Sequence, residues 1–165
     1  MKQKSFSAAS LFLVILLNVA PAWAASGGEL LVWKKDPFFY GACGFCAEFF
    51  NVRPNEDLTD FSGFEYNNQT GYYYVTLSGP SGATVTLFGG ENYQKTQGFL
   101  IVTKLDGDTV QIEDLEDFKP GRWVEVPAEA GYTGAYRAWY QPYEKFKDRV
   151  ASLKWGHWWT GPVPQ

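Results

Sequence analysis

The chain has 165 residues, with 14 basic and 18 acidic side chains and 18% aromatic rings. That length allows one domain and at most a small second one. The acidic balance argues against a nucleic-acid partner, since phosphate binding needs a basic face, and no polybasic run offers itself to an anionic lipid surface.

Residues 1–24 read as a signal peptide. Lys2 and Lys4 open it, residues 11–17 form a short apolar core, and Ala22-Trp23-Ala24 is a small-x-small cleavage site. The apolar run is too short to span a bilayer, which needs about 20 apolar residues. No cysteine follows the cleavage point closely, so a lipid anchor of the bacterial type is not indicated. Removing the leader takes away two lysines and no acid, leaving 12 basic against 18 acidic residues and a net charge of −6. The expectation is an exported protein, periplasmic or extracellular, with no membrane insertion once the leader is gone.

In the mature chain, residues 25–82 read as an N-terminal extension. A strand over 30–33 is followed by a turn over 37–40. Cys46, Phe49 and Phe50 then fall at helical spacing, which predicts one or two helical turns. Residues 51–68 read as loop, and 71–77 (GYYYVTL) as a strand rich in aromatic and β-branched side chains. The turn at 78–82 returns the chain into a strand over 84–88. Further strands are predicted over 99–103, 109–112, 123–126 and from Tyr136 onward. A helical turn falls within 142–148, and an alternating strand over 149–155 puts Ala151, Leu153 and Trp155 on one face. The tail, 157–165, is irregular. Short strands with turns about every ten residues predict an all-β sandwich or barrel, and no strand alternates with a long helix. The 30 aromatic rings fill a β core on one reading and form a ligand-stacking platform on another.

Residues 85–94, VTLFGGENYQ, resemble the first hairpin of a βγ-crystallin Greek key. That pattern is an apolar-aromatic strand, a glycine or acidic turn, then Asn-aromatic-Gln-Gly; Phe88, Asn92, Tyr93 and Gln94 fall in register. Residues 123–136 resemble the second key's Trp strand and its Tyr-x-Gly hairpin at Tyr132-Thr133-Gly134. Residues 148–153, DRVASL, resemble its closing strand. The two starts lie 38 residues apart, one Greek key, and the resemblance covers residues 83–156. Lys95 stands where the family carries a glycine, and a reroute of the turn through Gly98 is one way to accommodate it. The resemblance implies a Greek key β-sandwich with a non-enzymatic structural or binding role. It also raises weak calcium binding, because many microbial members hold the ion with paired Asn/Asp and Ser/Thr oxygens. Only Asp148 and Ser152 fit that signature in the second key, beside Lys147, and only Asp108 in the first. The alternative is that Asp148 and Ser152 bond their own turn.

Other constellations in the chain carry chemistry of their own. The acidic stretch 106–117 fails as an EF-hand, with Val110, Gln111 and Asp117 at its fifth, sixth and twelfth positions; it reads as a solvated acidic edge. Cys43-Gly44-Phe45-Cys46 in an exported chain reads as a local disulfide, with a redox-active pair and a metal site as alternatives. A bridge closing so short a loop stabilises little, yet the thioredoxin-like setting of such a motif needs a βαβ unit that is lacking here. His157, the sole histidine, sits in an aromatic cluster with no glycine-flanked serine elbow elsewhere. In that cluster Trp155, Trp158 and Trp159 are candidates for ligand stacking. Asn68-Gln69-Thr70 is a glycosylation sequon, meaningful only in a eukaryotic secretory pathway. Three functional readings follow: a non-enzymatic βγ-crystallin-like structural or binding protein with no cofactor beyond weakly bound calcium; a thiol-disulfide oxidoreductase using Cys43 and Cys46; and an aromatic-rich carbohydrate- or peptide-binding module. The partner is unassigned.

Overall fold

The computed structural model describes residues 28–35, 49–54, 56–64 and 71–164. The leader, Cys43, Cys46 and the Asn68 sequon lie outside the described residues. Nine strands run in chain order: β1 Leu30–Lys35, β2 Phe49–Val52, β3 Tyr72–Leu77, β4 Thr84–Phe88, β5 Phe99–Lys104, β6 Val110–Ile112, β7 Trp123–Val126, β8 Tyr136–Gln141 and β9 Ser152–Trp155. They build two antiparallel sheets, ordered β2-β1-β3-β6 and β7-β8-β5-β4-β9, so the protein is an all-β sandwich.

The core follows from alternation. Leu30 and Val32 of β1, Tyr73, Val75 and Leu77 of β3, and Val110 and Ile112 of β6 point one way. Val85 and Leu87 of β4, Leu100 and Val102 of β5, and Tyr136, Ala138 and Tyr140 of β8 meet them in one buried cluster between the sheets. All six residues of β5 are buried, which alternation alone does not produce. The reason is a second aromatic cluster on the outer face of the five-stranded sheet, made by Phe88, Phe99, Ile101, Trp139 and Trp159. The tail at 156–164 folds over that face. Trp158 donates its indole N–H to Thr86 Oγ1 at 2.7 Å, and Trp123 donates to the Pro162 carbonyl at 3.2 Å. With both faces covered, the central strand is apolar on both faces over residues 99–102.

Within the five-stranded sheet, β9-β4-β5-β8 has the spatial order of a Greek key, with the last strand returning to lie beside the first. β6 and β7 interrupt the chain between β5 and β8, and β6 crosses to pair with β3. The edge at β9 is blunted by the segment around Leu58, which exchanges backbone bonds of 3.0 and 2.9 Å with Leu153.

One local expectation differs. Phe49 and Phe50 lie in strand β2, paired with Trp33 and Val32 of β1, rather than in a helical turn. A neighbouring strand that satisfies the backbone outweighs a three-residue helical spacing, whose own nucleus is costly. The 3-10 turn at Phe146–Asp148 falls within the segment where a helical turn was predicted.

Candidate functional site

The 83–104 segment forms a hairpin, β4 against β5, with Thr84 opposite Thr103 and Phe88 opposite Phe99. Its connection is folded over by two 3-10 turns, Glu91–Tyr93 and Lys95–Gln97. Asn92 and Tyr93 adopt positive φ values of 53° and 60°. A side chain on Gly89 would overlap the Gln97 carbonyl oxygen, so the close approach requires glycine there. Lys95 takes ordinary helical backbone, and the positive φ of 79° falls on Gly98. The turn is thus routed through Gly98. Tyr93 packs its ring 5.8 Å from Phe88.

Ser152 closes this hairpin. It is fully buried, donates its hydroxyl to the Gly90 carbonyl at 2.7 Å and accepts the Tyr93 backbone N–H at 3.1 Å. β9 carries it and pairs with β4. The DRVASL segment therefore closes the first hairpin, whereas the sequence pattern placed it in the second key. The 123–136 segment is itself a strand, turn and strand, with Val126 opposite Tyr136.

Of the residues with calcium-type oxygens, Ser152 is committed to the hairpin. Both bonding directions of the Ser152 hydroxyl are used by the hairpin. Asp148 is exposed in its 3-10 turn, where its N–H bonds the Lys145 carbonyl at 3.0 Å. Asp108 lies in the β5–β6 loop; its N–H bonds Asp106 Oδ1 at 3.0 Å and its carbonyl accepts the Lys104 ammonium. Among the described residues no group of three or more His, Cys, Asp or Glu side chains is placed to hold a metal ion.

Lys104 itself is fully buried, the inward-facing successor of Leu100 and Val102. Its ammonium reaches the Leu77 carbonyl at 3.5 Å and the Asp108 carbonyl, tying β3 to the β5–β6 loop. Burial lowers its pKa, opposed by the charges of Asp106 and Asp108.

The tail tryptophans form a roof. Trp159 is only 8% exposed and lies 5.7 Å from Trp123. Trp158 is half-buried, 5.7 Å from both Phe88 and Phe99, with the Lys95 ammonium 5.5 Å from its ring. Trp155 packs against the inter-sheet core. His157 lies 3.7 Å from the Trp159 ring.

A cleft of about 590 Å3 opens between β6 with the acidic segment after it and the 127–133 loop. The loop is pinned at several points. The Gln111 N–H bonds Thr133 Oγ1 at 3.0 Å, the Gly134 N–H bonds the Thr109 carbonyl at 2.8 Å, and Asp106 Oδ2 accepts from the Ala135 N–H at 2.6 Å. A Cβ on Gly134 would lie 2.5 Å from the Asp108 carbonyl oxygen. On the opposite wall, Asp114 accepts from Lys147 at 3.0 Å, and Glu116 Oε1 caps the Phe146 N–H at 2.8 Å. The acidic stretch is thereby partly a brace for the 146–148 turn. Burial pushes the Asp114 carboxyl up, yet its bonds from the Glu116 N–H and Lys147 hold it below the usual range.

Inside the cleft, Phe118 and Tyr136 meet edge to face at 6.3 Å. Burial, with the nearby Tyr132 and Asp117, pushes the Tyr136 hydroxyl up to about 12. Tyr132 is 44% exposed; partial desolvation, then the Glu113 and Glu129 carboxylates, raises its pKa. Sequence reasoning marked both halves of this cleft, 106–117 as an acidic edge and 132–134 as a turn, but nothing in the chain order brings them together. Lys104 was findable, as a lysine at the inward phase of an apolar strand.

No helix among the described residues is long and apolar enough to cross a membrane. The chain matches no family model, and comparison with curated proteins and with solved structures finds no match.

Proposed function

We propose that the chain is an exported, non-enzymatic β-sandwich of βγ-crystallin type that acts by binding, with its ligand seated in the cleft between the acidic segment and the 127–133 loop. The observation that carries the binding role is the cleft itself. Its volume lies in the range of small-ligand sites, about 300–1,000 Å3, and it is walled by a pinned loop and floored by aromatic rings. Kinship with βγ-crystallins is supported by the folded-over hairpin, with Tyr93 beneath it and Ser152 clamping it from β9. Export rests on the leader pattern of residues 1–24.

The test is a binding screen of the mature protein by amide and side-chain NMR, using amines, oligosaccharides and short peptides. The expected result is a set of shifts clustered on Thr133, Tyr132 and Tyr136. Shifts confined to the tail roof at Trp158, or no shifts with any compound, would overturn the assignment of the cleft. Sequencing the N-terminus of the secreted protein is expected to start at Ala25; a start at Met1 would refute the leader.

A further inference from the structure

We propose that the cleft takes a small organic cation, an alkylammonium or guanidinium group carried on an apolar body. The proposal rests on the binding reading above and names the class of ligand.

Charge is the first ground. The lining carries four carboxylates, Glu113, Asp114, Asp117 and Glu129, and no lysine, arginine or histidine. Asp114 is paired with Lys147 and Glu113 accepts from the Gln111 side-chain amide at 3.3 Å, which leaves three uncompensated negative charges on the lining. A phosphate, a carboxylate or an anionic sugar meets only repulsion there, whereas a cation is drawn in.

The second ground is independent of the acids. Tyr136 is only 6% exposed, and its hydroxyl makes no hydrogen bond among the described residues. Tyr136 lines the cleft, and its hydroxyl is not among the fully buried unpaired polar atoms of the described residues, so the oxygen opens into the cleft. It can accept an N–H from a ligand seated there.

The third ground is shape. Tyr132, 44% exposed, and Phe118 present ring surface beside the carboxylates. A cation gains from a ring face within about 6 Å, and an alkyl body gains from burial against the same rings. A bare metal ion fits poorly, because it needs several oxygens converging on one point. The acids here are spread along the walls, and no metal-holding group is formed among the described residues. Spread acids with rings between them suit an extended cation.

The experiment is calorimetric titration of the mature protein with cadaverine and, separately, agmatine. The neutral isostere 1,5-pentanediol and calcium chloride serve as comparison titrants. Cadaverine and agmatine are expected to bind, and the diol and calcium are not. Asp117→Asn, Glu129→Gln and Tyr136→Phe are each expected to weaken binding about threefold to tenfold, one charge or hydrogen bond apiece. Glu144→Gln, an exposed acid outside the cleft, is expected to leave affinity unchanged. Melting of each unliganded variant, with near-ultraviolet circular dichroism, confirms that the sandwich persists; Tyr136→Phe keeps the ring and its packing. The inference is overturned by absence of amine binding up to about 10 mM, by equal affinity for the diol, by tighter binding of calcium, or by indifference to all three cleft substitutions. Diol or oligosaccharide binding with shifts at Tyr136 would end the cationic assignment and leave the binding role intact.

Discussion

Replacing Ser152 with alanine isolates the contact that closes the folded hairpin. The hydroxyl is fully buried and serves two backbone groups, the Gly90 carbonyl at 2.7 Å and the Tyr93 N–H at 3.1 Å. Alanine removes both bonds and leaves space too small for easy repair. Gly90 is buried and Tyr93 half-buried, so water reaches the orphaned groups poorly. Leaving a buried donor or acceptor unpaired costs about 1–3 kcal/mol. With one group fully buried and the other partly wet, the expected loss is about 2–3 kcal/mol. For a domain of this size, each kcal/mol moves Tm by roughly 3–5 °C, so Tm falls by roughly 6–15 °C. The assay is urea unfolding followed by Trp fluorescence, comparing midpoints at constant slope. Ser81→Ala is the control, since that exposed hydroxyl makes one bond, to the Leu105 carbonyl at 2.9 Å; its expected cost is under about 0.5 kcal/mol. A Ser152→Ala loss no larger than the Ser81 control would refute the clamp.

Three further outcomes are expected. Gly89→Ala forces a methyl against the Gln97 carbonyl and opens the hairpin, costing about 1–3 kcal/mol or more, read from the same urea midpoints; a neutral effect would show that the loop relaxes freely. Tyr73, Tyr74, Tyr136 and Tyr140 are each pushed by burial to about 12, from 10.0. Between those values the unfolded chain releases protons the folded one keeps, so stability is intact below pH 10 and falls as pH rises through 12; tyrosinate absorbance should show a class of rings that ionises only with unfolding, and a single step near pH 10 in a folded protein would contradict it. Trp159→Ala removes a ring that is 8% exposed and should cost about 3–5 kcal/mol, while truncation after Gly156 should bare Phe88, Phe99 and Trp139 and raise binding of a hydrophobic dye; unchanged dye binding would mean the tail is not the roof.

Alternation was the legible part of the sequence. It placed the strands at 72–77, 84–88, 99–104, 110–112, 123–126 and 152–155 to within a residue or two at most ends, because side chains that face one core must recur with period two. The folded hairpin was legible too, through Gly89-Gly90 and the Asn-Tyr-Gln after them. The 3-10 turn at 146–148 was foreseeable from its short polar run. The strand at 49–52 was not, because its two phenylalanines fit a helical spacing equally well and the partner that decides the matter, β1, lies about twenty residues away.

The candidate site was legible only in pieces. An acidic run reads the same whether it is solvated, braces a turn or walls a cleft, since charge carries no direction in sequence. Asp114 and Glu116 brace Lys147 and the Phe146 N–H, while Glu113, Asp114 and Asp117 line the cleft. That division depends on which way each side chain leaves an irregular segment. The tail tryptophans were equally ambiguous, since a ring that stacks a ligand and a ring that roofs a sheet have the same neighbours in the chain.

The sequence by itself determined the class of fold, since the apolar period and the turn residues admit no helical alternative for the body of the chain. It determined the alternating faces of most strands and the local geometry of the hairpin, where glycine and a short loop leave few conformations. Tertiary structure alone decided which strand closes that hairpin, where Lys104 spends its charge and that residues 106–117 face 127–133 across a cleft. Those are contacts between segments distant in the chain, set by how the two sheets stack and by backbone bonds across them. Local pattern constrains dihedrals and faces; it does not constrain which faces meet.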